Sequence, residues 1–116
     1  MDNLQSTIEK AWENRELLKE EITINTIKEV IYLLDNGKLR VAEPTTSGWQ
    51  VNEWVKKAVV MYFPIQKMET HEVGIFEYHD KMLLKTGYAE KGIRVVPPAV
   101  ARYGAYISKG VIMMPS

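Results

Sequence analysis

The 116-residue chain carries 15 Lys and Arg against 15 Asp and Glu, so no net field draws it toward nucleic acid or an anionic membrane. With 46% apolar residues it can bury the core of one domain, and the absence of cysteine excludes disulfides, thiolate nucleophiles and Cys-ligated metal. No basic segment followed by an apolar run opens the sequence and no apolar run reaches membrane-spanning length, so the expectation is a soluble, cytoplasmic protein.

Leu4, Ile8, Ala11 and Trp12 keep helical spacing, with Asp2 or Ser6 available as a cap and Ser6 with Glu9 in capping-box register, which predicts a short amphipathic helix over about residues 3–15. Ile27, Val30, Ile31 and Leu34 mark one face of a second helix. Thr26 and Glu29 suggest a capping box at its start, and Asn36-Gly37 closes it. Leu39 to Glu43 alternates apolar and polar residues up to Pro44, Thr45 to Gly48 supplies turn chemistry, and Trp49 to Val51 resumes the alternation, as in a small hairpin. A third helix is expected from Asn52 as N-cap to Phe63-Pro64, with Trp54, Val55, Ala58, Val59, Met61 and Tyr62 inward and Lys56-Lys57 on the wet side. Residues 65–92 show no sustained period and read as short strands or loops. Ile93 to Val96 should be extended ahead of Pro97-Pro98, which reads as a stiff hinge.

From Ala101 a six-residue phase sets in. Ala101, Ile107 and Met113 share one slot, and Ala105 and Val111 share another. Hexads of this kind mark a parallel β-helix, in which each rung buries a small apolar side chain only if another rung stacks on it. Fewer than three hexads are present, so the sequence reads as the front of a longer protein.

Candidate chemistry is sparse. His71 and His79, with Glu69, Glu72, Glu77 and Asp80 nearby, could in principle ligate a metal, but no helix or spacing puts them on one face, and solvated surface residues are the simpler reading. The Glu20-Glu21 pair and the other carboxylates show no acid/base arrangement. The six Met and three Trp fall mainly at core or rung positions. Arg94 stands out, because a guanidinium where a strand enters the rungs needs a partner. An internal carboxylate or plain solvation is the bland alternative, and a ligand carboxylate or phosphate is the functional one. Arg40 and Arg102 share the ambiguity with less context.

Several blocks agree, in order and spacing, with one family. They are Leu4-Gln5 to Ile8-Glu9, Leu33 to Glu43 (Leu-Leu-Asp-Asn-Gly-Lys-Leu-Arg-Val-Ala-Glu), Trp54 to Val59, Gly92 to Pro98 (Gly-Ile-Arg-Val-Val-Pro-Pro), and Gly104 to Ile107 running on to Met114-Pro115-Ser116. The whole chain thereby resembles the N-terminal part of the bacterial 2,3,4,5-tetrahydropyridine-2,6-dicarboxylate N-succinyltransferases, hexapeptide-repeat acyltransferases of diaminopimelate and lysine biosynthesis. The stretch from Lys67 to Thr86 and the loop from Pro44 to Gly48 match poorly.

The resemblance implies an α+β chain: a small helical N-terminal domain with a short hairpin over 1–96, then over 97–116 the first, incomplete coil of a left-handed parallel β-helix. It implies a homotrimer that moves a succinyl group from the cosubstrate succinyl-CoA to the amine of a small dicarboxylate, tetrahydrodipicolinate in its 2-amino-6-oxopimelate form. No metal, no further cofactor, no nucleic acid and no membrane partner are expected. The family's acceptor-binding arginine falls on Arg94, and its catalytic acidic residues and CoA groove belong to later coils. No catalytic residue is therefore assigned within this chain, which is expected to be inactive alone. A second reading is a non-catalytic interaction or scaffold domain derived from such an enzyme.

Overall fold

In the computed structural model, residues 2–115 are described; Met1 and Ser116, the outer limits of the two expected domains, lie outside them. The apolar stripes of three helices face one another: α1 (Asp2–Glu13), α2 (Glu21–Asp35) and α3 (Glu53–Ile65). Their shared core consists of Ile8 and Ala11, then Ile27, Val30, Ile31 and Leu34, then Val55, Ala58, Met61 and Tyr62. Burying each larger aliphatic side chain there contributes roughly 1.5–3 kcal/mol.

The helix boundaries differ from the sequence expectation for identifiable reasons. Because α1 already begins at Asp2, Ser6 and Glu9 are interior and form no capping box. A 3-10 helix, Arg15–Lys19, follows it, started by the Asn14 side chain accepting from the Glu16 N–H. Likewise α2 begins at Glu21, and Thr26 is not its cap: the hydroxyl donates back to the Ile22 carbonyl at 2.8 Å, which satisfies a buried polar group inside the helix. Glu20 and Glu21 sit at the helix N-terminus, where the macrodipole favours negative charge. The C-terminus of α2 is closed as expected. Gly37, at φ +73°, donates to Leu34 and Lys38 donates to Leu33, the two bonds of a Schellman turn.

Asn52 precedes α3 without capping it, since its side-chain amide donates instead to the Arg40 carbonyl at 2.8 Å and ties the helix start to the preceding hairpin. Pro64 lies within the last turn of α3 rather than ending it. Lys56 is exposed as expected, but Lys57 is not on the wet side. It is half-buried against α1, 3.1 Å from Glu9 and above the Trp12 ring.

Three two-stranded sheets complete the fold among the described residues. Strands β1 (Ala42–Thr45) and β2 (Gly48–Val51) form the expected hairpin, but the first strand begins at Ala42 rather than Leu39 and runs through Pro44, on its edge opposite Trp49, to Thr45, which leaves residues 46–47 as the turn. The aperiodic segment contains a second hairpin, β3 (Glu69–Val73) and β4 (Phe76–Asp80), reversed through Gly74-Ile75, and a short helix, α4 (Tyr88–Lys91). Gly74, at φ +63°, takes the first turn position, which only glycine adopts without strain in such a turn.

The third sheet is parallel. In it β5 (Arg94–Val95) pairs with β6 (Ile112–Met113), Arg94 facing Ile112 and Val95 facing Met113. The offset is 18 residues, three hexads, so the chain makes one full coil of a parallel β-helix between these partners. Val95, Ala101, Ile107 and Met113 are all half-buried, which carries the hexad phase one step earlier than Ala101. The Pro97-Pro98 pair, joined by a cis peptide, therefore lies within the coil and not ahead of it as a hinge.

Candidate functional site

Arg94 is placed by backbone bonds on both sides. Its own N–H donates to the Val111 carbonyl at 3.0 Å, the Ile93 N–H donates to Tyr88 at 3.0 Å, and Gly110 donates to Gly92 at 2.8 Å. Ile93 is buried and Arg94 is exposed, as alternation along a strand requires. None of the ion pairs among the described residues involves Arg94, so its guanidinium fork is open to a partner from solution. Arg40 lies over the Trp49 ring at 5.8 Å, and Arg102 is exposed on the strand-like segment bridged to Leu84.

The two histidines are not brought together. In the β3–β4 register Thr70 faces His79 and His71 faces Tyr78, so the two rings leave opposite faces of the hairpin. His79 Nδ1 is 2.8 Å from the Thr70 hydroxyl and His71 Nε2 is 3.6 Å from Glu69. No cluster of three potential metal ligands occurs among the described residues.

Sequence reasoning missed a buried charged centre. Asp35, the last residue of α2, is 5% exposed, and Lys85 is 3% exposed. Lys85 Nζ donates to Asp35 Oδ1 at 2.6 Å and to the Asp35 main-chain carbonyl at 3.0 Å, capping a helix C-terminus and neutralising its carboxylate together. The Gly104 N–H donates to the same Oδ1 at 3.0 Å, and Lys91 Nζ stands 4.0 Å from Oδ2. Burial raises the Tyr103 and Tyr88 hydroxyl pKa values, with the Asp35 charge adding to both. One signal was present in the sequence: a carboxylate just before Asn36-Gly37 stands at the negative end of a helix, where it is unfavourable without a cation.

Between the β3–β4 hairpin and the coil runs an apolar groove of about 720 Å³, bordered by Val73, Phe76, Leu83, Val95 and Pro98. Its floor is the antiparallel pairing of 83–85 with 101–103: Lys85 N–H to the Ala101 carbonyl at 3.0 Å, and Tyr103 N–H to Leu83 at 2.8 Å.

Comparison with known proteins agrees with this architecture. The family described as "Tetrahydrodipicolinate N-succinyltransferase N-terminal" matches residues 3–65. The 2,3,4,5-tetrahydropyridine-2,6-dicarboxylate N-succinyltransferase of Bordetella petrii is 44% identical over 124 residues, covering 98% of this chain and 45% of that protein. The enzyme of the same name from Legionella pneumophila strain Corby is 40% identical over 126 residues, covering all of this chain and 46% of its own length. That from Actinobacillus succinogenes is 42% identical over an alignment of 126 positions, covering all of this chain and 46% of its own length. The chain thus spans about half the length of the curated relatives it matches. The similarity runs from the three-helix core through the coil, and this chain belongs to the tetrahydrodipicolinate N-succinyltransferase N-terminal family.

Proposed function

We propose that this chain is the N-terminal part of an enzyme that transfers a succinyl group from succinyl-CoA to the amine of tetrahydrodipicolinate in its hydrated, ring-opened 2-amino-6-oxopimelate form, in the synthesis of diaminopimelate and lysine. The observation that carries the reading is end-to-end similarity, 40–44% over nearly the whole chain, to enzymes of that name. In the reaction the acceptor nitrogen attacks the thioester carbonyl, a C–N bond forms and the C–S bond breaks. The nitrogen's proton passes to a general base, and CoA leaves as the thiol. This chain supplies the helical unit and the first coil; the groups that bind CoA and move the proton belong to later coils. The assembly is a homotrimer working in the cytoplasm.

Within this chain the binding role falls to Arg94. The acceptor carries two carboxylates, and an exposed guanidinium on a strand fixed by main-chain bonds is suited to a bidentate pair with one of them. In the whole protein Arg94→Ala should lower kcat/KM for the acceptor roughly 30-fold, the equivalent of ~2 kcal/mol, chiefly through KM, with KM for succinyl-CoA unchanged. The assay is release of CoA thiol at varied concentrations of each substrate. Unchanged acceptor kinetics would remove Arg94 from the site, and absence of thiol release by the unmodified whole protein would refute the reaction itself.

A further inference from the structure

The buried Asp35–Lys85 pair is used by none of the chemistry above, and its cost calls for an explanation. Two ions removed from water seldom stabilise a fold more than apolar side chains of the same size would, and the best-attested return on such a pair is a defined arrangement. Here the arrangement ties the helical unit to the coil at Gly104, to the segment paired with the coil at Lys85, and to the short helix that leads into the strand of Arg94 at Lys91. Asp35 ends α2, so it is rigidly held by the three-helix core. Oδ1 takes the Lys85 ammonium, and Lys85 belongs to the segment paired along 101–103 of the coil. The same oxygen takes the N–H of Gly104, on the coil itself. Oδ2 faces Lys91, the last residue of α4, three residues before Arg94. Tight packing surrounds these contacts: a side chain at Gly37 would meet the Tyr106 ring at 2.6 Å, and one at Gly104 would touch Ile31 at 3.4 Å.

We infer that Asp35 and Lys85 act as a positioning pair, which fixes the first coil against the helical unit and so sets where the Arg94 guanidinium stands relative to the acceptor. This inference rests on the reaction proposed above. Neither side chain touches substrate; both act through the coil. Apolar packing alone would leave the coil free to slide, because its contacts with the core lack direction, whereas one carboxylate oxygen shared between an ammonium and a main-chain N–H has a single geometry.

The test is the charge-free double variant Asp35→Leu with Lys85→Met in the whole protein. Replacing both ions together leaves no buried charge unpaired, since Lys91 is partly exposed and keeps its bond to the Thr86 carbonyl, so the fold should persist with a melting temperature near that of the parent. The Gly104 N–H loses its acceptor, and misplacement of a recognition group should reduce kcat/KM for the dicarboxylate about tenfold, with KM for succinyl-CoA unchanged. Hydrogen exchange followed by mass spectrometry should be faster in peptides spanning 92–96 and 103–106 and unchanged in those of the three-helix core. A folded double variant with parental acceptor kinetics and parental exchange at 92–96 would overturn the inference. If the unmodified protein transfers no succinyl group, the proposed reaction fails, and the exchange arm alone decides whether the pair holds the coil. Should the double variant not fold, Asp35→Asn, which keeps an acceptor for Gly104, must show smaller changes in both readouts than Lys85→Met; the reverse order refutes the role.

Discussion

The three-helix unit over residues 2–65 and the segment from 66 to 115 are held together in different ways. In the first, ten side chains on three amphipathic faces close a core with no charged member. In the second, Ile93 is the one buried apolar residue among those described, while Ile75 is 93% exposed and Val73, Phe76, Val100 and Ile112 also face outward. Order there comes from main-chain pairing, glycine turns, the packing of Met82 and Tyr103 on the helical core and the ion pairs of Lys85 and Lys91 with Asp35 of the first unit. The lesson is that the coil borrows its stability: it is held at its edges by directional bonds and gains little from its own apolar burial.

Breaking the borrowed anchor should have the largest effect. Lys85→Ala leaves the Asp35 carboxylate buried without its hydrogen-bonded cation, with only the more distant Lys91 beside it, and should cost ~3–5 kcal/mol in urea unfolding, with amides of 83–105 exposed first. An equal loss of protection across α1 to α3 would show that the two regions are not held differently. Next comes the core itself. Ile27→Ala removes a fully buried side chain between helices and should cost ~3 kcal/mol, lowering the midpoint of the whole transition with little selective change at the coil. A loss below ~1 kcal/mol would mean that the helical core is looser than its burial implies.

The smallest effect sharpens the contrast from the electrostatic side. Tyr103 has its pKa raised by burial and by Asp35, so its neutral form is favoured in the fold. Stability is then fully present below the ordinary tyrosine value of 10.0 and declines as pH rises through the higher folded value. Tyr103→Phe should flatten that alkaline decline while changing stability at neutral pH little. An unaltered slope would remove Tyr103 as its source.

How far the sequence could be read follows the same division. Period alone located α2 and α3, because Ile27, Val30, Ile31 and Leu34 share a face and bury it. Their starts were harder. Thr26 with Glu29 has the spacing of a capping box, yet the Thr26 hydroxyl has an equally good acceptor one turn back, and sequence cannot say which it takes. The hexads were legible from Ala101 onward, but Pro97-Pro98 concealed that Val95 already occupies the inward slot. Asp35 and Lys85 are 50 residues apart, and the second lies in an aperiodic stretch, so no local pattern could join them. Arg94 became a candidate for acceptor binding through family resemblance alone; spacing left it ambiguous.

The 18-residue offset between β5 and β6 has a consequence for how this protein can change over evolution. A hairpin tip such as Gly74-Ile75 can accept an inserted residue with the change confined to the turn. Between Val95 and Met113 the chain counts in sixes: one residue inserted there turns each following inward side chain outward and shifts Met113 from its partner. Length is thus quantised in the coil and continuous in the hairpins, and viable insertions should collect at 46–47 and 74–75 while the coil changes only by substitution.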